Sequence, residues 1–154
     1  PNFSKREYET LLAYGQSKTA SNLFALELDN RGRAFGVRAY SLHPGSIGGT
    51  ELGREAPLEL FQEMGFVDAD GQMLPEVAAS LKTVPQGAAT TVWCATSPML
   101  EGIGGVYCED GDIAVLADDK GTSGGVKSYS LDQANAGLLW QWTEEVTGIR
   151  FNIG

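Results

Sequence analysis

The chain of 154 residues has one histidine, two cysteines and few basic side chains, with 11 Lys+Arg against 20 Asp+Glu. A lone histidine, His43, excludes a histidine cluster around a metal and leaves no second histidine for a catalytic triad. Cys94 and Cys108 are far apart in sequence with no histidine beside either, so four-ligand zinc spacing is absent and no metal site is expected. They read as buried free thiols of a cytoplasmic protein. A net charge of −9 argues against a nucleic-acid binder or a protein that lies on anionic membranes, since both need a basic face. No apolar run approaches the roughly 20 residues of a membrane span, and no secretory signal opens the chain.

Glycine is plentiful, but a phosphate-binding fingerprint is missing. A G-x-G-x-x-G pattern starting at Gly102 needs glycine at position 107, where Tyr107 stands. Gly121, Gly124 and Gly125 belong to a loop and do not supply the pattern either.

What is present is an ordinary globular composition, 42% hydrophobic and 20% charged, of a length that suits one core. Pro1-Asn2-Phe3-Ser4 reads as the tail of a connection, with Glu7 placed to start a helix over residues 8–30. Ala13, Ser17, Ala20 and Ser21 give that helix a small-residue face. Leu23, Phe24, Leu26 and Leu28 spread apolar surface around the rest, and Gly32 supplies a left-handed cap. Residues 36–43 read as a strand, and a strand so close behind a helix predicts α/β layers with parallel pairing.

A short helix over 57–64 and a turn at Asp68, Asp70 and Gly71 follow. Helix returns in two pieces over 75–96, the second opened by a Thr83/Gln86 capping box and stopped at Ser97-Pro98. Its small residues suit packing on the first helix, and the two small-residue helices offer a homodimer interface. Residues 104–108 read as a short strand. Ser130 and Gln133 form a second capping box for a last helix with an apolar stripe of Leu131, Ala134, Leu138, Leu139, Trp142 and Val146, ended by Gly148. Trp140 falls off this stripe and is expected to face a lid, a partner subunit or solvent.

The chemistry-bearing stretch is Tyr14-Gly15-Gln16-Ser17-Lys18. Residues four apart share a helix face, and an ammonium beside a phenol favours the phenolate, which makes a tyrosine useful in proton transfer near neutral pH. Alone, a Tyr and Lys lined up on a helix surface mean little. Their order with the following helix, the strand ending in His43-Pro44-Gly45, Thr50, the capped helix and the Gly104-Gly105-Val106-Tyr107 strand is far more specific.

That ordered set resembles the short-chain dehydrogenase/reductase family and its retinol-dehydrogenase-like branch, with residues 1–154 matching only the C-terminal half of one such domain. The resemblance implies the C-terminal part of a Rossmann-type doubly wound parallel sheet. It implies an NAD(P)-dependent oxidoreductase, using NADP or NAD, that interconverts a hydrophobic alcohol with its aldehyde or ketone. Tyr14 of the YxxxK motif would be the acid/base, and Lys18 would tune it and hold the cofactor ribose. Pro44, Gly45, Ile47 and Thr50 would lie along the nicotinamide, with residues 51–75 covering the substrate. Family members often carry bulkier residues where Gly48 and Gly49 stand, which predicts a more mobile loop here. The family's catalytic serine and phosphate-binding glycines have no counterpart: Ser4 has no strand leading into it, and Ser17 reads as a packing residue. The chain by itself is therefore expected to be inactive. The alternative from another class is a non-catalytic scaffold or binding module that retains part of the fold.

Overall fold

The computed structural model describes residues 3, 5–51, 53–118 and 124–153, so Ser4 and Gly121 lie outside the described residues. Helix α1, Thr10–Gly32, starts where the Glu9 carboxylate accepts the Leu11 and Leu12 N–H groups at 2.8 and 2.6 Å. The cap is thus Glu9 rather than Glu7. At the other end Gly32 stays right-handed (φ −87°) and the left-handed residue is Gly36 (φ 76°), after a 3-10 turn over Arg33–Phe35. Gly32 is required for another reason: a Cβ there would stand 2.9 Å from the Val37 Cβ, where the chain folds back.

Strand β1, Tyr40–His43, is shorter than the 36–43 expected, because residues 36–39 are spent on the return from α1. β1 pairs in parallel with β2, Val106–Glu109, in the register Ser41 opposite Tyr107 and Leu42 opposite Cys108. β2 pairs antiparallel with β3, Asp112–Ile113, so the described sheet is mixed, in the order β1-β2-β3. Between β1 and β2 lie helices α2, Leu58–Glu63, α3, Pro75–Ser80, and α4, Val84–Thr96, the last opened by the predicted Thr83/Gln86 capping box.

Helices cover both sides of the sheet. α1 packs on β1 and on the last helix, α5, Gln133–Thr147, whereas α4 packs on β1 and β2. The expectation that α4 lies on α1 is therefore corrected; α4 buries Gly87 and Thr90, while Ala88, Ala89 and Ala95 stay exposed. On that side Cys94 of α4 meets Cys108 of β2, so the two thiols are neighbours in space. Burial first, then the Cys94 hydrogen bond, push the Cys108 thiol up to about 12.

The last helix is capped by Asp132, which accepts the Asn135 N–H at 2.7 Å, not by Ser130. Ser130 is buried in a preceding 3-10 turn, Ser128–Leu131. The buried face also differs from the expected stripe. Ala136 joins Leu23 and Leu26 in the core, with Leu131 and Leu139 against them. Leu138 and Val146 are exposed, and Trp140 is only 6% exposed. Trp140 is held by α1: Phe24 stacks on it at 5.6 Å, Arg31 lies 4.7 Å above its ring, and its N–H donates to Glu144. Two contacts from another helix override what a one-helix periodicity predicts.

One buried carboxylate ties these parts together. Asp29, 3% exposed on α1, accepts the Arg38 Nε–H and Nη2–H at 2.8 and 2.9 Å and the Ala39 N–H at 3.1 Å. Gly104 and Gly105 leave room for this pair: a Cβ on Gly104 would lie 2.0 Å from Asp29 Oδ1 and 2.5 Å from Arg38 Nη2. The glycines before β2 thus serve close packing, and Gly105 adds its own N–H to the Ala39 carbonyl.

Burial raises the Asp29 pKa, but the hydrogen bonds from Arg38 and Ala39 and the charges of Arg38 and Arg33 outweigh it, leaving the carboxyl below its ordinary range. A depressed carboxylate stabilises the fold fully above its unfolded pKa, and that contribution is lost as pH falls through the lower folded value. Asp29→Asn should therefore cost about 2–3 kcal/mol near pH 7, read by urea unfolding. The gap between variant and wild type should narrow below about pH 4. Gly104→Ala should destabilise by about 3 kcal/mol in the same assay, since the added methyl would press on the buried Asp29 carboxylate and break its pairing with Arg38.

Candidate functional site

α1 runs back along β1, so its first turns stand beside the carboxyl end of that strand. Tyr14 and Lys18 share one face there, with Lys18 Nζ 5.1 Å from the centroid of the Tyr14 ring. Tyr14 is 48% exposed and Lys18 is exposed, yet both open onto a cleft of about 840 Å³. Ser17, expected to pack, is exposed, and its hydroxyl donates to the Tyr14 carbonyl at 2.7 Å.

Opposite α1 the cleft is formed by consecutive residues from Arg38 to Gly45, with Tyr107 of β2 at its floor. An unbroken run of residues facing one cleft means that a strand edge faces it, and β1 is the outer strand of the described sheet. Asn22 and Ser41 add polar groups to Tyr14 and Lys18.

The Pro44-Gly45 turn closes the end of the cleft. Gly45 adopts φ 85°, a left-handed conformation that side chains disfavour, and its N–H donates to His43 Nδ1 at 3.0 Å. The following loop is strapped to the residue before the α4 cap. Lys82 N–H donates to the Ser46 carbonyl at 2.8 Å, and Gly48 N–H donates to the Lys82 carbonyl at 3.3 Å. The amide of Gly48 is thereby fixed. Ile47 turns away from the cleft into the first turn of α4, where Gly87 makes room: a Cβ on Gly87 would sit 2.2 Å from Ile47 Cδ1.

Tyr14, Lys18, Pro44 and Gly45 thus come together on one cleft, while Ile47 and Thr50 do not line it. Ile47 is half-buried under α4 and Thr50 is exposed farther along the loop. The sequence reading missed Tyr107, His43 as a hydrogen-bond acceptor, and Lys82. The parallel register with Ser41 places Tyr107, and no local spacing points to Lys82. Among the described residues no cluster of His, Cys, Asp and Glu forms a metal site, and no helix is long and apolar enough to cross a membrane.

The residues present fit the nicotinamide and ribose end of a dinucleotide: a flat glycine turn beside a phenol and an ammonium, along an open strand edge with amide and hydroxyl groups. No phosphate-binding glycine turn stands among them.

Comparison with known proteins agrees in class. The chain is 39% identical over 143 residues to a "Probable oxidoreductase" of Streptomyces lividans, covering 92% of this chain and 47% of that protein. It is 36% identical over 135 residues to the short-chain dehydrogenase/reductase prx1 of Penicillium roqueforti, covering 87% of this chain and 37% of that protein. A crystal structure of an uncharacterized protein from Mycobacterium paratuberculosis matches 97% of this chain and 44% of its own at 25% identity and a TM-score of 0.48. No family model matches. The chain belongs to the short-chain dehydrogenase/reductase family of oxidoreductases and spans 37–47% of the length of these curated relatives, matching their C-terminal part.

Gly87→Ala should expel Ile47 and destabilise by about 1–2 kcal/mol, the overpacking cost exceeding the roughly 1 kcal/mol gain in helix propensity. Combining it with Ile47→Ala should recover part of that loss, so a double-mutant cycle in thermal unfolding should give a coupling of about 1 kcal/mol.

Proposed function

We propose that this chain carries the proton-transfer half of an NAD(P)-dependent oxidoreductase site that interconverts an alcohol and a carbonyl compound. The observation that supports this reading most directly is the meeting of Tyr14, Lys18 and the Pro44-Gly45 turn on one cleft at the carboxyl end of a parallel strand, where ligands of α/β sheets bind. When bound, NADP or NAD supplies or accepts the hydride. Tyr14 Oη gives a proton to the carbonyl oxygen in reduction and takes it from the hydroxyl in oxidation. Lys18 favours the phenolate through its charge and donates hydrogen bonds to the ribose hydroxyls.

Pro44 and Gly45 form the flat surface along the nicotinamide, and Ile47 and Thr50 act farther along the loop. Residues 51–75 cover a hydrophobic alcohol, aldehyde or ketone; part of this excursion, Glu51, residues 53–57 and Leu60, flanks Thr10 at the start of α1, one turn before Tyr14. Residues 1–154 form the C-terminal half of one such domain, in a cytoplasmic protein that pairs as a homodimer. The phosphate-binding glycines and the serine that polarises the substrate oxygen belong to the other half, so the 154-residue chain alone is inactive.

Tyr14→Phe, made in the protein expressed from its native reading frame, should lower kcat by at least about 100-fold in carbonyl reduction with NADPH or NADH. Lys18→Met should also raise the KM for the cofactor. A Tyr14→Phe variant that turns over like wild type would point to the scaffold reading instead.

A further inference from the structure

We infer that Lys82 and Asp110 are a positioning pair that braces the Pro44-Gly45 turn from behind, and so sets the surface against which the nicotinamide lies. The inference rests on the functional reading above. Lys82 sits between α3 and α4, outside the cleft, and holds the turn in two ways. Its main chain brackets the loop through Ser46 and Gly48, as a short parallel bridge with Ile47. Its side chain then crosses behind Gly45: a Cβ on Gly45 would lie 2.6, 2.7 and 2.8 Å from Lys82 Cδ, Cε and Nζ. The ammonium ends in an ion pair with the Asp110 carboxylate.

Asp110 occupies the turn between β2 and β3 with φ 52°, the one non-glycine residue with positive φ among the described residues. Aspartate accepts that conformation more readily than most residues, although an L side chain pays for it in strain. The pair therefore links the end of β1 to the end of β2 through a side chain that also blocks backward movement of Gly45.

Exposed ion pairs add little stability, and Asp110 is largely exposed. The role argued for Lys82 is geometric. Its methylene stem fills the space behind Gly45, and the ion pair keeps the stem there. An error of about 1 Å in the surface under a reacting ring costs up to roughly 100-fold in rate.

The test compares Lys82→Arg, Lys82→Met and Lys82→Ala in the protein expressed from its native reading frame. Amide hydrogen exchange at Gly45 and Gly48 without cofactor is read beside kcat and KM. Lys82→Ala should speed exchange at both amides and lower kcat roughly 10- to 100-fold, with the KM for the alcohol unchanged. Lys82→Met keeps the stem and should fall between, matching Asp110→Asn, and Lys82→Arg should restore both readouts. Wild-type exchange and kcat in Lys82→Ala would overturn the inference. An equal loss in Lys82→Arg and Lys82→Ala would overturn it as well. If Tyr14→Phe retains full turnover, the functional reading fails separately, and faster exchange in Lys82→Ala still identifies the brace.

Discussion

The position of the cleft depends on the Asp29 carboxylate. Three donors converge on it, two from one guanidinium and one from the main chain leading into β1. A buried charge is costly unless its partners satisfy it, and here the partners lie on the chain segment that must reverse direction after α1. The ion pair therefore does more than stabilise. It selects the angle at which β1 leaves α1, and Gly104 and Gly105 let β2 close onto the same point. Helix, first strand and second strand are fixed by one cluster, several helical turns from Tyr14 and Lys18 although its Arg38 and Ala39 also line the cleft.

That distance is useful because α1 is rigid. Tyr14 and Lys18 lie about four and three turns before Asp29, roughly 15–22 Å away along the axis. A helix held at its carboxyl end by the ion pair and along its length by Leu23, Leu26 and Trp140 carries its first turns to a defined place beside Gly45. Packing thus fixes the carboxyl end of α1, and the end that carries Tyr14 and Lys18 is left half-exposed. The glycine turn facing Tyr14 is fixed independently, by the His43 ring, the Lys82 strap and the Ile47 side chain under Gly87. Two separately anchored surfaces meet across the cleft.

Much of this was legible in the sequence wherever the determining interaction is local. Tyr14 and Lys18 share a face because helices repeat, the Thr83/Gln86 cap forms because its donors lie three residues apart, and the Pro44-Gly45 turn follows the strand it ends. What escaped the reading is decided across the chain. Val146 fits an apolar stripe yet is exposed, while Trp140, off the stripe, is buried because α1 offers Phe24 and Arg31. Cys94 and Cys108 looked unrelated until α4 lay on β2. The glycines at 104 and 105 resembled a phosphate loop that failed its spacing, and their use appeared only when a buried ion pair was found against them.

The openness of the cleft bears on how its residues work. Lys18 and Tyr14 stand in contact with solvent, where water screens the attraction between an ammonium and a phenolate. On the function proposed above, the same two groups would interact far more strongly with a ring over Gly45, the open edge of β1 occupied and water gone from the space between them. The coupling between Lys18 and Tyr14 is then a property of the filled site. On that same proposed function, residues that fix the walls, above all those behind Gly45, act without touching the reacting atoms, because they decide how closely the cleft can be filled.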